Sequence, residues 1–331
     1  MPIRSSTYIA RALREFSAAQ FEELALDIFR LQVGENPIYR CFVGLLGVRP
    51  ESVTSLERIP FLPISFFKTH QIRTGQWREE TVFESSGTSG AQASRHLVRD
   101  LQAYLDNTLR GFEAAFGPIT DWRILALLPN YIERGASSLV AMTDYLIRRS
   151  GHPDSGFFLY DHEALARALA RPASKTLLLG VSYALLDFAE YWPGGPLPPE
   201  VVVMETGGMK GRRREMTRQE LHDALKAAFG LSQVCSEYGM TELFSQAYLN
   251  EPDMLFAPAP TLRAYAAEIQ DPLTLTGEGR NGSLCFVDLA NWHSCAFVAT
   301  EDVGRVYADG RFSVLGRLDH AEMRGCNLLL E

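Results

Sequence analysis

A chain of 331 residues, 46% of them hydrophobic and 22% charged, has the composition of a folded globular protein and the length for a large core. Its formal charge of −8, from 32 basic and 40 acidic residues, argues against nucleic acid as a partner, because phosphate backbones require a basic face. No apolar run reaches bilayer length, and the opening Met1-Pro2-Ile3-Arg4-Ser5-Ser6 has no continuous apolar core, so a cytoplasmic location without a membrane span is expected.

In residues 18–31, Phe21, Leu24, Ala25, Ile28, Phe29 and Leu31 mostly follow helical spacing and predict an N-terminal helix. Pro60 and Pro63 then force an extended path on residues 56–67, whose apolar side chains should lie against a sheet. The next segment, Phe83-Glu84-Ser85-Ser86-Gly87-Thr88-Ser89-Gly90, concentrates hydroxyls and glycines after an apolar position. Glycine at positive φ lets main-chain N–H groups and hydroxyls approach an anion, so a phosphate cradle fits; a Ser/Gly surface turn also fits. Asp100 is placed to cap a helix whose face is marked by Leu101, Tyr104, Leu105, Thr108, Leu109 and Phe112.

Compact apolar runs at 123–128, 176–179 and 201–204 alternate with helical stretches at 137–149, 162–169 and 218–229, which predicts parallel strands covered by helices. Thr217 and Glu220 form a capping-box pair for the last of these helices, and Gly230 is its stop; residues 192–199 read as a surface loop. Short strands follow at 284–289, 296–300, 305–308 and 311–315, with Asp309-Gly310 as a hairpin turn between the last two. The expected division is an α/β core over residues 1–280, with a helical N-terminal segment, and a β-rich subregion over 281–331. The five cysteines, Cys41, Cys235, Cys285, Cys295 and Cys326, are scattered without a Cys-x-x-Cys pair and predict reduced thiols. Strand alternation explains His293, Cys295 and Cys285 more simply than metal ligation does.

A second motif, Ser236-Glu237-Tyr238-Gly239-Met240-Thr241-Glu242, follows the apolar run at 231–235. With the Ser/Gly loop, a turn at Thr300-Glu301-Asp302 and Gly316-Arg317-Leu318-Asp319, it gives an ordered set that resembles the acyl-adenylate-forming enzymes. A narrower set comprises Ile59-Pro60-Phe61-Leu62-Pro63-Ile64-Ser65-Phe66-Phe67-Lys68, Glu205-Thr206-Gly207-Gly208-Met209-Lys210-Gly211-Arg212 and Arg324-Gly325-Cys326-Asn327-Leu328-Leu329. It is similar to the acyl-protein synthetase (LuxE-type) branch, from residue 59 to the C-terminus.

The resemblance implies an α/β fold, the large domain of an adenylate-forming enzyme with mostly parallel sheets, a small β-rich C-terminal region and no full lid domain. It implies ATP- and Mg²⁺-dependent activation of a carboxylic, fatty, acid, then acyl transfer to a protein cysteine and on to a reductase or acyl carrier protein. Ser85, Ser86, Gly87, Thr88, Ser89 and Gly90 would then cradle the β- and γ-phosphates, and Gly207 and Gly208 would admit adenine at a strand's C-terminal end. Tyr238, beside Gly239, would pack on adenine, Thr241 would touch the α-phosphate, and Glu242 would bind Mg²⁺, an oxygen-seeking ion. Asp302 would accept the ribose hydroxyls with Arg317 as its partner, and Cys326, next to Arg324, would carry the acyl group as a thiolate.

Two departures stand out. Ala91-Gln92-Ala93 replaces the family's Pro-Lys pair, leaving Lys68 or Arg95 to supply phosphate-neutralising charge, and the expected lack of a full lid domain with its lysine leaves the run Lys210-Gly211-Arg212-Arg213-Arg214 as a candidate for the transition-state cation. The acid pocket wall is expected to include Phe66, Phe67, Tyr131, Tyr183 and Phe244. An acyltransferase or acyl-carrying scaffold without adenylation, and a ligase delivering directly to coenzyme A or acyl carrier protein, are the alternatives.

Overall fold

The computed structural model describes residues 4–85, 92–128, 136–171, 175–209, 212–250 and 252–318. Helices α1 (Ser6–Arg14), α2 (Phe21–Glu35) and α3 (Pro37–Leu45) open the chain. Asn36 separates the last two: its side chain accepts from the Tyr39 N–H at 3.1 Å, with Pro37 in the first helical turn. The predicted apolar positions of α2 are buried, and Phe29 meets Phe297 edge-on at 6.0 Å.

β1 (Leu62–Pro63) is the extended segment that the two prolines impose; it pairs in parallel with Val298 and Ala299 at a sheet edge, where proline is tolerated, and α4 (Phe66–Thr69) follows. β2 (Thr81–Glu84) and β3 (Arg95–Val98) form an antiparallel hairpin. α5 (Leu101–Phe116) starts where Asp100 accepts from the Ala103 N–H at 2.9 Å.

The alternating region consists of β4 (Arg123–Leu127), α6 (Ser138–Ser150), β5 (Gly156–Phe157), α7 (His162–Leu169), β6 (Thr176–Val181), α8 (Ser182–Tyr191), β7 (Val201–Thr206), α9 (Arg218–Phe229) and β8 (Cys235–Tyr238). α9 carries the predicted capping box and ends at Gly230 with φ +66°. These strands are parallel; β9 (Ala247–Leu249) and β10 (Ala257–Pro258) then add antiparallel to give a seven-stranded sheet of order β10-β9-β8-β7-β6-β4-β5. One face packs Leu165, Phe188, Leu221, Leu225 and Phe229 from α7, α8 and α9, and the other packs Tyr104, Phe112, Met142 and Leu146 from α5 and α6. Burial on both faces is why β4 and β6 read as continuous apolar runs.

β11 (Leu262–Ala267), β12 (Gly282–Asp288), β13 (Phe297–Val306) and β14 (Phe312–Arg317) join β1 in a five-stranded sheet whose core is shared with α2 and α3. One expectation changes here. The strands expected at 296–300 and 305–308 are largely one strand, Phe297–Val306, so Thr300-Glu301-Asp302 is extended chain inside β13 and not a turn. Gly304, which breaks the apolar pattern, is there because a Cβ would overlap the Ser313 carbonyl of β14. β11 and β12, which precede and follow position 280, pair continuously from Leu262–Asp288 to Ala267–Ser283. Among the described residues no helix is long and apolar enough to cross a membrane.

Candidate functional site

The C-terminal ends of β6, β7 and β8 deliver Ser182, Glu205 to Gly208, and Ser236 to Glu242 to one rim, the place where open α/β sheets bind ligands. Gly207 turns the chain with φ +73°, and a Cβ on Gly208 would meet nothing within 4 Å, so the chain beyond β7 borders open space. Gly239 has an internal reason to be glycine: a Cβ there would overlap the Glu237 carboxylate.

Tyr238, at the end of β8, joins the two sheets. Its hydroxyl donates to Asp302 Oδ2 at 2.8 Å, while its ring lies among Phe256, Phe286 and Phe312 at centroid distances of 5.7, 5.5 and 5.4 Å. The ring expected over adenine is thus a core aromatic whose polar end orients Asp302. Register places Asp302 opposite Arg317, with Nε 3.9 Å from Oδ1, and Arg317 also lies 3.5 Å from Glu301. Burial raises the Asp302 carboxyl above the usual carboxylate range, against the Tyr238 hydroxyl and the Arg317 charge.

Thr241 and Glu242 form a turn after β8, and Glu242 is 6% exposed. Burial raises its carboxyl, with the Ser94 hydroxyl and the charges of Arg317 and Lys68 pulling the other way. Ser94 also closes the base of the β2–β3 hairpin: its N–H donates to Ser85 Oγ at 2.9 Å, and the Ser85 N–H to the Ser94 carbonyl at 3.0 Å. Ser94 thus links Ser85 to Glu242, and the charge of Arg317, paired with the Asp302 that Tyr238 holds, reaches the same carboxyl. Ser86, Gly87, Thr88, Ser89 and Gly90, together with Tyr131, Lys210, Gly211, Asp319 and Cys326, lie outside the described residues.

The three cation candidates separate. Arg95 pairs with Glu84 at 3.3 Å. In the basic run, Arg213 pairs with Asp187 and Glu190, Arg214 lies 3.6 Å from Glu220, and Arg212 covers the Tyr183 ring at 5.1 Å. Lys68 has no ion pair within 4.0 Å among the described residues, and its charge acts on Glu242. Of the proposed pocket wall, Phe67, Tyr183 and Phe244 are buried, and Phe66 stacks on His70 at 5.2 Å.

Sequence reasoning missed several polar groups at this rim. Glu205 is buried, 3.3 Å from Arg218 Nε and 3.7 Å from His222 Nε2, and accepts from Ser182 at 3.1 Å. Burial pushes its carboxyl up, yet the His222 hydrogen bond and the Arg218 charge prevail and hold it below the ordinary value. Glu237 accepts from Thr206, and burial, with the nearby Glu205 charge, pushes it up to about 7. His96 and Asn291 hold the carbonyls of Thr241 and Glu242. Of these groups Glu205 and Glu237, each inside a quoted motif, had a local signal.

Among the described residues no group of three His, Cys, Asp or Glu could hold an ion. Glu242 makes no ion pair within 4.0 Å among them, although the charges of Arg317 and Lys68 act on it, and a single buried carboxyl fits Mg²⁺, which typically takes one or two carboxylates beside substrate phosphates. Cys41, Cys235, Cys285 and Cys295 form no disulfide among the described residues, and burial pushes Cys285 and Cys295 up to about 12.

Comparison with protein-family models gives no match, and no curated protein matches the chain. Solved structures do match. ATP-bound MatB from Rhodopseudomonas palustris aligns with a TM-score of 0.52 and 17% identity over 73% of this chain and 49% of its own. 2-Hydroxyisobutyryl-CoA ligase with 2-HIB-AMP and CoA, in the thioesterification state, aligns at 0.66 and 13% identity over 96% of this chain and 70% of that one. The same ligase in the postadenylation state with R3-HIB-AMP gives 0.65 and 13% over 93% and 70%. The chain spans about half the length of MatB. Its fold is that of the adenylate-forming enzymes' large domain, an α/β unit of a largely parallel sheet packed by helices beside a second β-sheet.

Proposed function

We propose that this chain uses ATP to activate a carboxylic acid as its acyl-adenylate and then passes the acyl group to a thiol. One observation carries the reading: Glu242 and Asp302, from motifs on different sheets, share the field of Arg317 at a rim to which the Ser/Gly hairpin is joined through Ser94. The acid's carboxylate attacks the α-phosphorus, an O–P bond forms, the bond to pyrophosphate breaks, and positioning with charge neutralisation does most of the catalysis.

In this reading Ser85 to Gly90 hold the outer phosphates, Thr241 contacts the α-phosphate, and Gly207 and Gly208 border the adenine. Asp302, oriented by Tyr238, accepts the ribose hydroxyls, with Arg317 beside it. Glu242 would hold Mg²⁺, which when bound neutralises phosphate charge. Lys68, which makes no ion pair within 4.0 Å among the described residues and whose charge acts on Glu242, takes the part of the loop lysine that Ala91-Gln92-Ala93 does not provide.

The finer reading is an acyl-protein synthetase of the LuxE type acting in the cytoplasm on a fatty acid. Its Cys326 thiolate attacks the acyl carbon, AMP leaves, and the acyl group moves on to a reductase or acyl carrier protein. Coenzyme A as the thiol is the second reading, favoured by likeness to 2-hydroxyisobutyryl-CoA ligase. Carboxylate-dependent ATP–pyrophosphate exchange across a panel of acids tests adenylation; folded protein that exchanges with none of them refutes it.

A further inference from the structure

Thr241 and Glu242 lie in a turn, so their carbonyls have no ladder partners, and two buried side chains from distant elements take them up. His96, on β3 and 0% exposed, places Nδ1 2.7 Å from the Thr241 carbonyl; Asn291, just after β12 and 1% exposed, donates Nδ2 to the Glu242 carbonyl at 2.8 Å. The next residues are held in the same way. Asn107 donates to the Phe244 carbonyl at 3.1 Å, and Asp288 accepts from the N–H groups of Phe244 and Ser245 at 2.7 and 3.0 Å.

His96 differs from the others because of where it comes from. It follows Ser94 by two residues on the returning strand of the Ser/Gly hairpin, and Ser94 reaches the Glu242 side chain. The returning arm of the hairpin thus meets the Thr241-Glu242 pair twice, at a carbonyl through His96 and at a carboxyl through Ser94, just before β3. The ring is fixed between Phe67 at 5.5 Å and Phe244 at 4.8 Å, which leaves it no room to turn away. A carbonyl can only accept, so Nδ1 carries the hydrogen.

We propose that His96 is a positioning residue that locks the Thr241-Glu242 turn to the β2–β3 hairpin, so that the base of the hairpin at Ser85 and Ser94 and the Glu242 carboxylate keep a fixed relative placement, with Asn291 holding the turn's second carbonyl. The inference rests on the adenylation reading. The required Nδ1–H tautomer is a direct consequence, and burial, which lowers the imidazole to about 4, keeps it neutral at physiological pH.

The test uses the full chain and two substitutions. His96→Phe keeps the ring between its aromatic neighbours and removes the donor, whereas His96→Asn returns a donor near the Nδ1 position. In ATP–pyrophosphate exchange, His96→Phe should lose about ten- to a hundredfold in kcat and need more Mg²⁺ for half-saturation, with KM for the acid within about twofold, because misplacement by about 1 Å is enough for such a loss. His96→Asn should recover most of both parameters. Nitrogen-15 spectra of histidine-labelled protein should show His96 as the neutral Nδ1–H tautomer. Parent-like exchange in His96→Phe, an unchanged Mg²⁺ requirement, no recovery in His96→Asn or an Nε2–H tautomer would each overturn the inference. If the parent protein itself shows no acid-dependent exchange, the adenylation reading fails and this inference fails with it, whereas an active parent with an unaffected His96→Phe variant removes the inference alone.

Discussion

Replacing Glu237 with glutamine should change how stability depends on pH. The carboxyl is 8% exposed, accepts from Thr206 and sits near the Glu205 charge; burial pushes it up to about 7 from the ordinary 4.5. Between those values the folded protein keeps a proton that the unfolded chain has released. Raising the pH across that window therefore favours the unfolded chain, so stability falls from about pH 4.5 and levels off above about 7. A displacement of this size corresponds to about 3 kcal/mol. Glutamine still accepts from Thr206 and has no proton to lose, so relative to the parent the Glu237→Gln protein should gain about 3 kcal/mol on going from pH 4.5 to 8. Urea unfolding at constant ionic strength across that range gives the difference directly. Asp288, pushed up to about 6 by burial, affects both proteins alike and drops out of the comparison. A stability difference that stays flat with pH would mean that Glu237 is not held protonated, and the reasoning from burial would be refuted.

Asp302→Ala and Glu242→Ala should each lower ATP–pyrophosphate exchange about a hundredfold or more while circular dichroism stays parent-like; near-normal exchange in both would remove the nucleotide assignment. Gly208→Leu should leave the unfolding free energy within about 0.5 kcal/mol of the parent, because its side chain would enter open space. Its KM for ATP should rise at least about tenfold by the same obstruction, and an unchanged KM would put the adenine elsewhere. Cys326→Ser should keep exchange and lose the hydroxylamine-sensitive acyl label formed from radioactive fatty acid and ATP. Label persisting on that variant would assign the acceptor to another residue.

What the sequence made legible was local. The capping box and stop glycine of α9, the Asp100 cap and the continuous apolar runs of β4 and β6 carry their signals within a few residues, and each element formed where it was read. β13 was harder because its apolar residues do not alternate and Gly304 imitates a break, when its cause is the nearness of β14. At the site, the order of the motifs was readable but their support was not. His96 lies 145 residues from Thr241 and Asn291 lies 49 from Glu242, so only folding reveals either bond. The arginines at 212–214 looked like free charge, yet their partners sit on α8 and α9 and at Tyr183. Tyr238 looked available to a base, because no local pattern shows that Phe256, Phe286 and Phe312 surround it.

That aromatic block acts as a gauge. Four rings fill the seam between the two sheets, and close-packed interiors resist changes in volume, so the separation between Asp302 on one side and the Thr241-Glu242 turn on the other is determined by ring size and contact distance. Surface helices and loops can change length or composition without resetting it. Shaving Phe312 or Phe286 to a smaller side chain would let the sheets settle toward each other and move Asp302 although every polar group at the rim remained in place. The tolerances of the cleft are thus written in hydrocarbon, behind the residues that face it.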